Sequence, residues 1–210
     1  MLKQETHKKT KILAVGDIHG DTNLVKKLVK KAKKENVDLI ILAGDITLAE
    51  MSTKNIVGPF VKAGKEVLLI PGNHESVATA DFLAELYSPS AKNIHGYSIQ
   101  KGDLGIFGAG GGDIGMHLIK DSEIYNLLKR GHERIKNSKK KIMVTHLQPK
   151  NAMIEKIGGF EGSIGVRRAI EKFQPDIAIC AHLHNTGGIE EKVGKTTLIS
   201  VARNAAIFEI

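Results

Sequence analysis

The sequence predicts an α/β fold in one domain spanning residues 1–210, and three observations carry that prediction. Through the first half, short apolar runs alternate with amphipathic stretches of helical spacing, the pattern of a parallel sheet with crossover helices. Five of the runs stop at an acid, an amide or a histidine, as buried strands do where the chain turns out of a sheet. The balance of 41% hydrophobic and 26% charged residues can bury a sizeable core in water.

In chain order, residues 1–10 are polar and read as a frayed tail, without the apolar centre of a secretory signal. Ile12 to Val15 is a strand running into Gly16-Asp17-Ile18-His19-Gly20. Residues two apart in extended chain share a face, so Asp17 and His19 can converge on one ion while Ile18 turns back into the core. Asp21 caps a helix to about Asn36, with Leu24, Val25, Leu28, Val29 and Ala32 on one side and lysines on the other. Val37 to Ala43 is a second strand, ending in Gly44-Asp45. Lys54 to Ala63 reads as a poor helix broken around Gly58-Pro59. Glu66 to Ile70 is a third strand, ending in Pro71-Gly72-Asn73-His74-Glu75, and a helix follows from Ala78 to Tyr87.

Further on, Tyr97 to Ile99 and Leu104 to Phe107 pair around a Lys101-Gly102-Asp103 turn, and Gly108 to Gly112 is a loop. A helix covers Asp121 to Lys136, a strand Ile142 to Thr145 ends in His146, and Ile164 to Phe173 is a helix after a glycine-rich loop. Ile177 to Ala181 is a strand ending in His182-Leu183-His184. Thr197 to Val201 and Ala206 to Ile210, with a turn at Val193-Gly194-Lys195, close the chain as antiparallel strands.

The formal charge of +8 invites a nucleic-acid partner, yet only five of the 31 basic residues are arginine and aromatic residues are 4% of the chain. The lysines crowd into Lys26 to Lys34 and Lys136 to Lys141, the pattern of solvated helix faces, so a small anionic substrate is preferred over nucleic acid. No apolar run approaches the ~20 residues of a membrane span. Cys180 is a lone cysteine in an apolar run, which excludes an internal disulfide and fits a cytoplasmic location. Self-association is left open. A lone histidine is more often a surface or satisfied core residue, and His7, His95, His117 and His132 are read that way.

The five strand ends carry Asp17 and His19, Asp45, Asn73 and His74, His146, and His182 and His184. Ligands of α/β sheets gather beyond the carboxyl ends of the strands. So many nitrogen and oxygen donors exceed one tetrahedral ion and suit two cations about 4 Å apart sharing a carboxylate. Imidazoles and carboxylates suit borderline divalent cations; Mn²⁺ is expected, with Fe, Zn or Ni as alternatives.

The ordered set Asp17-Ile18-His19, Gly44-Asp45, Gly72-Asn73-His74-Glu75, His146 and Ala181-His182-Leu183-His184 resembles the calcineurin-like metallophosphoesterases. The resemblance implies a four-layer α/β/β/α sandwich with two central mixed sheets. It implies one ion on Asp17, His19, Asp45 and His184 and another on Asp45, Asn73, His146 and His182, with Asp45 as the bridge. It implies a phosphoesterase of two divalent metals that attacks phosphate esters, diesters foremost, with a metal-bridging hydroxide, while His74 contacts the phosphate and protonates the leaving oxygen. A phosphomonoesterase or nuclease on the same site is the alternative, and a non-catalytic scaffold of the same fold a minor one. One departure stands out: where many relatives have a carboxylate three residues after the bridging aspartate, this chain has Leu48, leaving Glu75, Glu50 or a backbone carbonyl to orient His74.

Overall fold

In a computed structural model, which describes residues 9–210, the runs Lys11–Val15 (β1), Leu39–Ala43 (β2) and Glu66–Ile70 (β3) lie side by side and parallel. They are apolar without alternation because both faces are covered. Ile12, Ala14, Leu39, Ile41, Leu68 and Ile70 face a second sheet, while Leu13, Val15, Ile40, Leu42, Val67 and Leu69 face helices. The period of two thus sorts one strand into two cores.

The helices on that outer face are α1 (Thr22–Lys34), α2 (Gly58–Lys62) and α3 (Val77–Leu86). Asp21 starts α1 as expected, its carboxylate accepting from the N–H groups of Asn23 and Leu24 at 3.0 and 2.9 Å. Gly58-Pro59 does not break a helix but opens one. Pro59 lies in the first turn of α2, where its missing N–H has no helical partner to lose. A short strand absent from the sequence reading, Ala91–Asn93 (β4), extends the sheet beside β3.

The second sheet is built from Ser98–Lys101 (β5), Leu104–Ala109 (β6), Lys140–Thr145 (β7), Ile177–Cys180 (β8), Glu190–Val193 (β9) and Thr196–Ser200 (β10), in the order β5-β6-β7-β8-β10-β9. On its outer face lie α4 (Asp121–Ile135), α6 (Ile164–Phe173) and a short helix the sequence reading left as loop, α5 (Met153–Gly158). Gly131, inside α4, is where the helix presses on β6: a Cβ there would lie 2.8 Å from the Tyr97 carbonyl and 3.1 Å from Phe107.

The closing strands part company with expectation. β9 and β10 form the hairpin around Gly194, but β10 also runs parallel to β8. With both its edges taken, the last strand, Ala206–Glu209 (β11), crosses to the other sheet and pairs antiparallel with β1. The first sheet is therefore ordered β11-β1-β2-β3-β4. Of the tail expected over residues 1–10, residues 1–8 and with them His7 lie outside the described residues. Thr10 is not frayed, since it exchanges backbone hydrogen bonds with Ile210 at 3.0 and 3.2 Å.

The layers are helices, mixed sheet, mixed sheet, helices, the sandwich that the family resemblance implies. Each fully buried Leu or Ile between them contributes about 1.5–3 kcal/mol over its exposed state. Among the described residues no helix is long and apolar enough to cross a membrane. The two sheets face each other, which brings the carboxyl ends of β1, β2 and β3 next to those of β7 and β8.

Candidate metal centre

The turns after those strands are held in conformations that side-chain-bearing residues seldom adopt. Asp17, His19, Asp45 and His182 lie in the left-handed region, with φ of 55, 47, 50 and 69° respectively. Such a backbone persists only where its surroundings over-determine it. Here they do: the N–H of Asp17 bonds the Gly44 carbonyl, that of His19 the Asp45 carbonyl and that of Gly20 the Ile46 carbonyl, at 3.0, 2.8 and 3.0 Å. Side chains complete the stitching, with the His74 N–H on Asp45 Oδ1 and the His182 N–H on Asp17 Oδ2, both at 3.0 Å. Two glycines make room. A Cβ on Gly72 would sit 2.1 Å from Asp45 Oδ1, and one on Gly44, whose φ is +86°, 2.5 Å from His146 Nδ1.

All the residues expected at the site come together. His19 Nε2 and His184 Nε2 lie 3.0 Å apart, and Asp17 Oδ1 is 3.4 Å from His184 Nε2. On the other side, His146 Nε2 is 3.1 Å from Asn73 Oδ1 and 3.3 Å from His182 Nδ1. Asp45 stands between the groups, with Oδ1 3.4 Å from His146 Nε2 and Oδ2 3.6 Å from His19 Nε2. Three sets converge closely enough to share a cation: Asp17, His19 and His184; Asp45, His146 and His182; and His19, Asp45 and His74.

The donors fit a pair of borderline divalent cations. Oxygen and imidazole nitrogen are the only ligand types, Asp17 Oδ1 is buried with no hydrogen-bond partner, and the imidazole nitrogens of His19 and His184 point at one another. His146 is wholly buried, and its Nδ1 meets the Ala43 carbonyl at 2.9 Å, which directs the Nε2 lone pair toward the cluster. Burial alone would raise the Asp45 carboxyl, but the His146 ring and the His74 N–H outweigh it and hold it far below the usual carboxylate range. Burial lowers His19, and the neighbouring Asp17 carboxylate raises His184.

Neither glutamate suggested for His74 touches its ring. Glu75 is buried and clamps the two turns together, Oε1 accepting from Ile46 N and Gly72 N and Oε2 from Thr47 N and Thr47 Oγ1. Glu50 accepts from Ser76 and Thr79, which hold its carboxyl down to about 2. No backbone carbonyl does the work either, since His74 Nδ1 is buried without a partner. The ring is placed instead by edge contact with His19, centroids 4.6 Å apart, and Nε2 stands 3.9 Å from Asp45 Oδ2.

One residue of the centre has no sequence signal. Asp113, in the loop between β6 and α4, puts Oδ1 3.1 Å from His182 Nε2. An isolated aspartate beyond a run of glycines is indistinguishable in sequence from a solvated loop residue. Two of the histidines read as lying outside the cluster have other partners: His95 Nδ1 accepts from Gly110 N at 3.1 Å, and His132 stacks on Phe173. The start of α6 is already occupied by a carboxylate, Asp121 Oδ1 accepting from Gly165 N and Ser163 Oγ. Cys180 is buried, which pushes its thiol up and away from nucleophilic use.

Above the cluster opens a cleft of about 400 Å³, lined on its floor by His19, Asp45, Asn73, His74, His182 and His184. The profile of the family described as calcineurin-like phosphoesterase matches residues 10–186. No curated protein matches the chain. Among solved structures, TT1561 of Thermus thermophilus superposes with TM-score 0.77 at 20% identity, covering 94% of this chain and 91% of that one. A dimetal phosphatase from Danio rerio gives TM-score 0.60 at 11% identity over 91% of this chain and 86% of its own. A protein described as a novel archaeal phosphodiesterase gives 0.55 at 15% identity over 92% and 84%. Identities this low speak for the fold.

Proposed function

The chain belongs to the calcineurin-like phosphoesterase family, and from that premise we propose that it hydrolyses small phosphodiesters at a pair of divalent cations, Mn²⁺ foremost. Asp17, His19, Asp45 and His184 would hold one ion and Asp45, Asn73, His146 and His182 the other. The observation that carries this reading is Asp45, whose two oxygens face two separate sets of donors, His146 on one side and His19 on the other. Such cations supply a water acidic enough to attack at neutral pH and offset charge on the phosphoryl oxygens.

The chain's own side chains do the rest. Asp113 on His182 Nε2 selects the tautomer whose Nδ1 faces the cluster. His146 is fixed as the other tautomer, its Nδ1–H on the Ala43 carbonyl and its Nε2 toward the cluster. His74 is the most exposed of the inner histidines save His184, with its side chain 31% accessible, and it lines the cleft. On this reading its Nε2 gives a proton to the leaving oxygen. The preference for diesters is supported by the family likeness and by the archaeal neighbour described as a phosphodiesterase.

The test is a matrix of metals and esters on purified protein: Mn²⁺, Ni²⁺, Zn²⁺ and Mg²⁺ against bis(p-nitrophenyl) phosphate and p-nitrophenyl phosphate. We expect turnover of the diester above the monoester, and Asp45→Asn to abolish it with every metal. Activity retained in Asp45→Asn counts against the paired-ion reading, and preference for the monoester counts against the diester assignment.

A further inference from the structure

The cleft is two-sided in character. Its floor is the ligand cluster, but its rim includes Ile114 and Phe160, with Leu183 and Gly158 beside them. Ile114 belongs to the loop after β6 and Phe160 to the segment after α5, so the two reach the same opening from distant parts of the chain. Each is large and apolar, yet 51% and 55% exposed. A single exposed apolar side chain carries no meaning; two converging on one cleft beside a polar floor do.

The charge distribution points the same way. The sequence holds 31 lysines and arginines, but among the described residues none lines this cleft. Arg203, beside Asp17, is turned to the Asp17 carbonyl and toward Asp21. Lys150 is tied to Glu155 and Glu161. A substrate with a second phosphate, or a nucleic-acid backbone, calls for cations along its path. This opening offers apolar surface instead.

We propose that the organic group of the ester is apolar, aryl or alkyl, and packs between Ile114 and Phe160 while the phosphoryl group meets the floor; this rests on the phosphoesterase reading above. The two side chains select substrate by the apolar area they remove from water.

Calorimetry on the metal-loaded protein tests this with two phosphonates that share one anionic group, methylphosphonate and phenylphosphonate. Phenylphosphonate is expected to bind about tenfold tighter than methylphosphonate, the worth of one ring's contact on a half-open wall. In Phe160→Ser, and more fully in the double variant with Ile114→Ser, that ratio falls toward one while methylphosphonate binds as before. Both positions are exposed, so the fold tolerates the changes. Equal affinities for phenyl and methyl heads in the native protein, or a Phe160→Ser that weakens both alike, overturn the apolar rim and leave the phosphoesterase reading standing. If no phosphonate binds and no ester turns over with any metal, both readings fall together.

Discussion

Replacing Glu75 with glutamine exchanges one oxygen for an NH₂ group at constant volume, and the surroundings of that carboxylate allow its consequence to be worked out. Its four partners all donate: Ile46 N at 3.1 Å and Gly72 N at 2.8 Å on Oε1, Thr47 N at 3.0 Å and Thr47 Oγ1 at 3.1 Å on Oε2. Either orientation of the amide turns N–H groups toward two donors. With the NH₂ at Oε1 two backbone N–H groups are stranded. At Oε2 the Thr47 hydroxyl can rotate, but its N–H cannot, and the surviving bonds lose the assistance of the charge. A buried donor left unpaired costs about 1–3 kcal/mol, so Glu75→Gln should destabilise by about 2–4 kcal/mol. Ile46 and Thr47 follow Asp45, and Gly72 precedes Asn73, so the same change should loosen the centre as well as the fold. Urea unfolding of the metal-free protein measures the first effect and metal stoichiometry after dialysis the second. A stability loss within about 0.5 kcal/mol, the range of ordinary surface substitutions, would refute the clamp.

Three further outcomes are expected. His95 is held neutral, down to about 4, by burial and then by Arg130, and its Nδ1 accepts the Gly110 N–H. Its folded value lies below the ordinary 6.5, so its contribution to stability is complete above 6.5 and is lost as pH falls toward 4, by about 3 kcal/mol in all. Urea midpoints of wild type and His95→Gln taken across this window should diverge in slope, and parallel curves would dismiss the idea. His74→Ala should slow diester hydrolysis by about 10²–10⁴-fold while metal content stays at the wild-type level; loss of metal would make His74 a ligand rather than an acid. Asp113→Ala should weaken metal binding by about 10–100-fold in competition with a chromophoric chelator, with less effect on turnover once metal is saturating. Unchanged affinity there would reduce Asp113 to a surface contact.

Much of the centre was legible in the residues alone. Strand geometry makes an apolar run end abruptly, and the acid or histidine just past that end is where a fold of this class keeps its ligands. Hence Asp17, His19, Asp45, Asn73, His74, His146, His182 and His184 could be named from residue type, position and family order. The local sequence also settled α1, with its Asp21 cap, and α6, because capping and a 3.6-residue period act within a few residues.

The rest was decided by contacts between distant segments. Whether β10 turns back on β9 or also lies along β8, and why β11 leaves for β1, depends on which sheet edges are already paired, and pairing has no local signature. Glu75 stands in a recognisable motif, but its role as a clamp follows only from the N–H groups that Ile46, Thr47 and Gly72 bring to it. Asp113, Ile114 and Phe160 lie in loops whose composition says little. They meet the centre because the facing sheets bring the loops after β6 and α5 over the same strand ends. Sequence by itself determined the donors, since ligand chemistry resides in residue type. Tertiary structure alone decided what supports those donors and what surrounds the substrate, since both are matters of distance between segments that never meet along the chain.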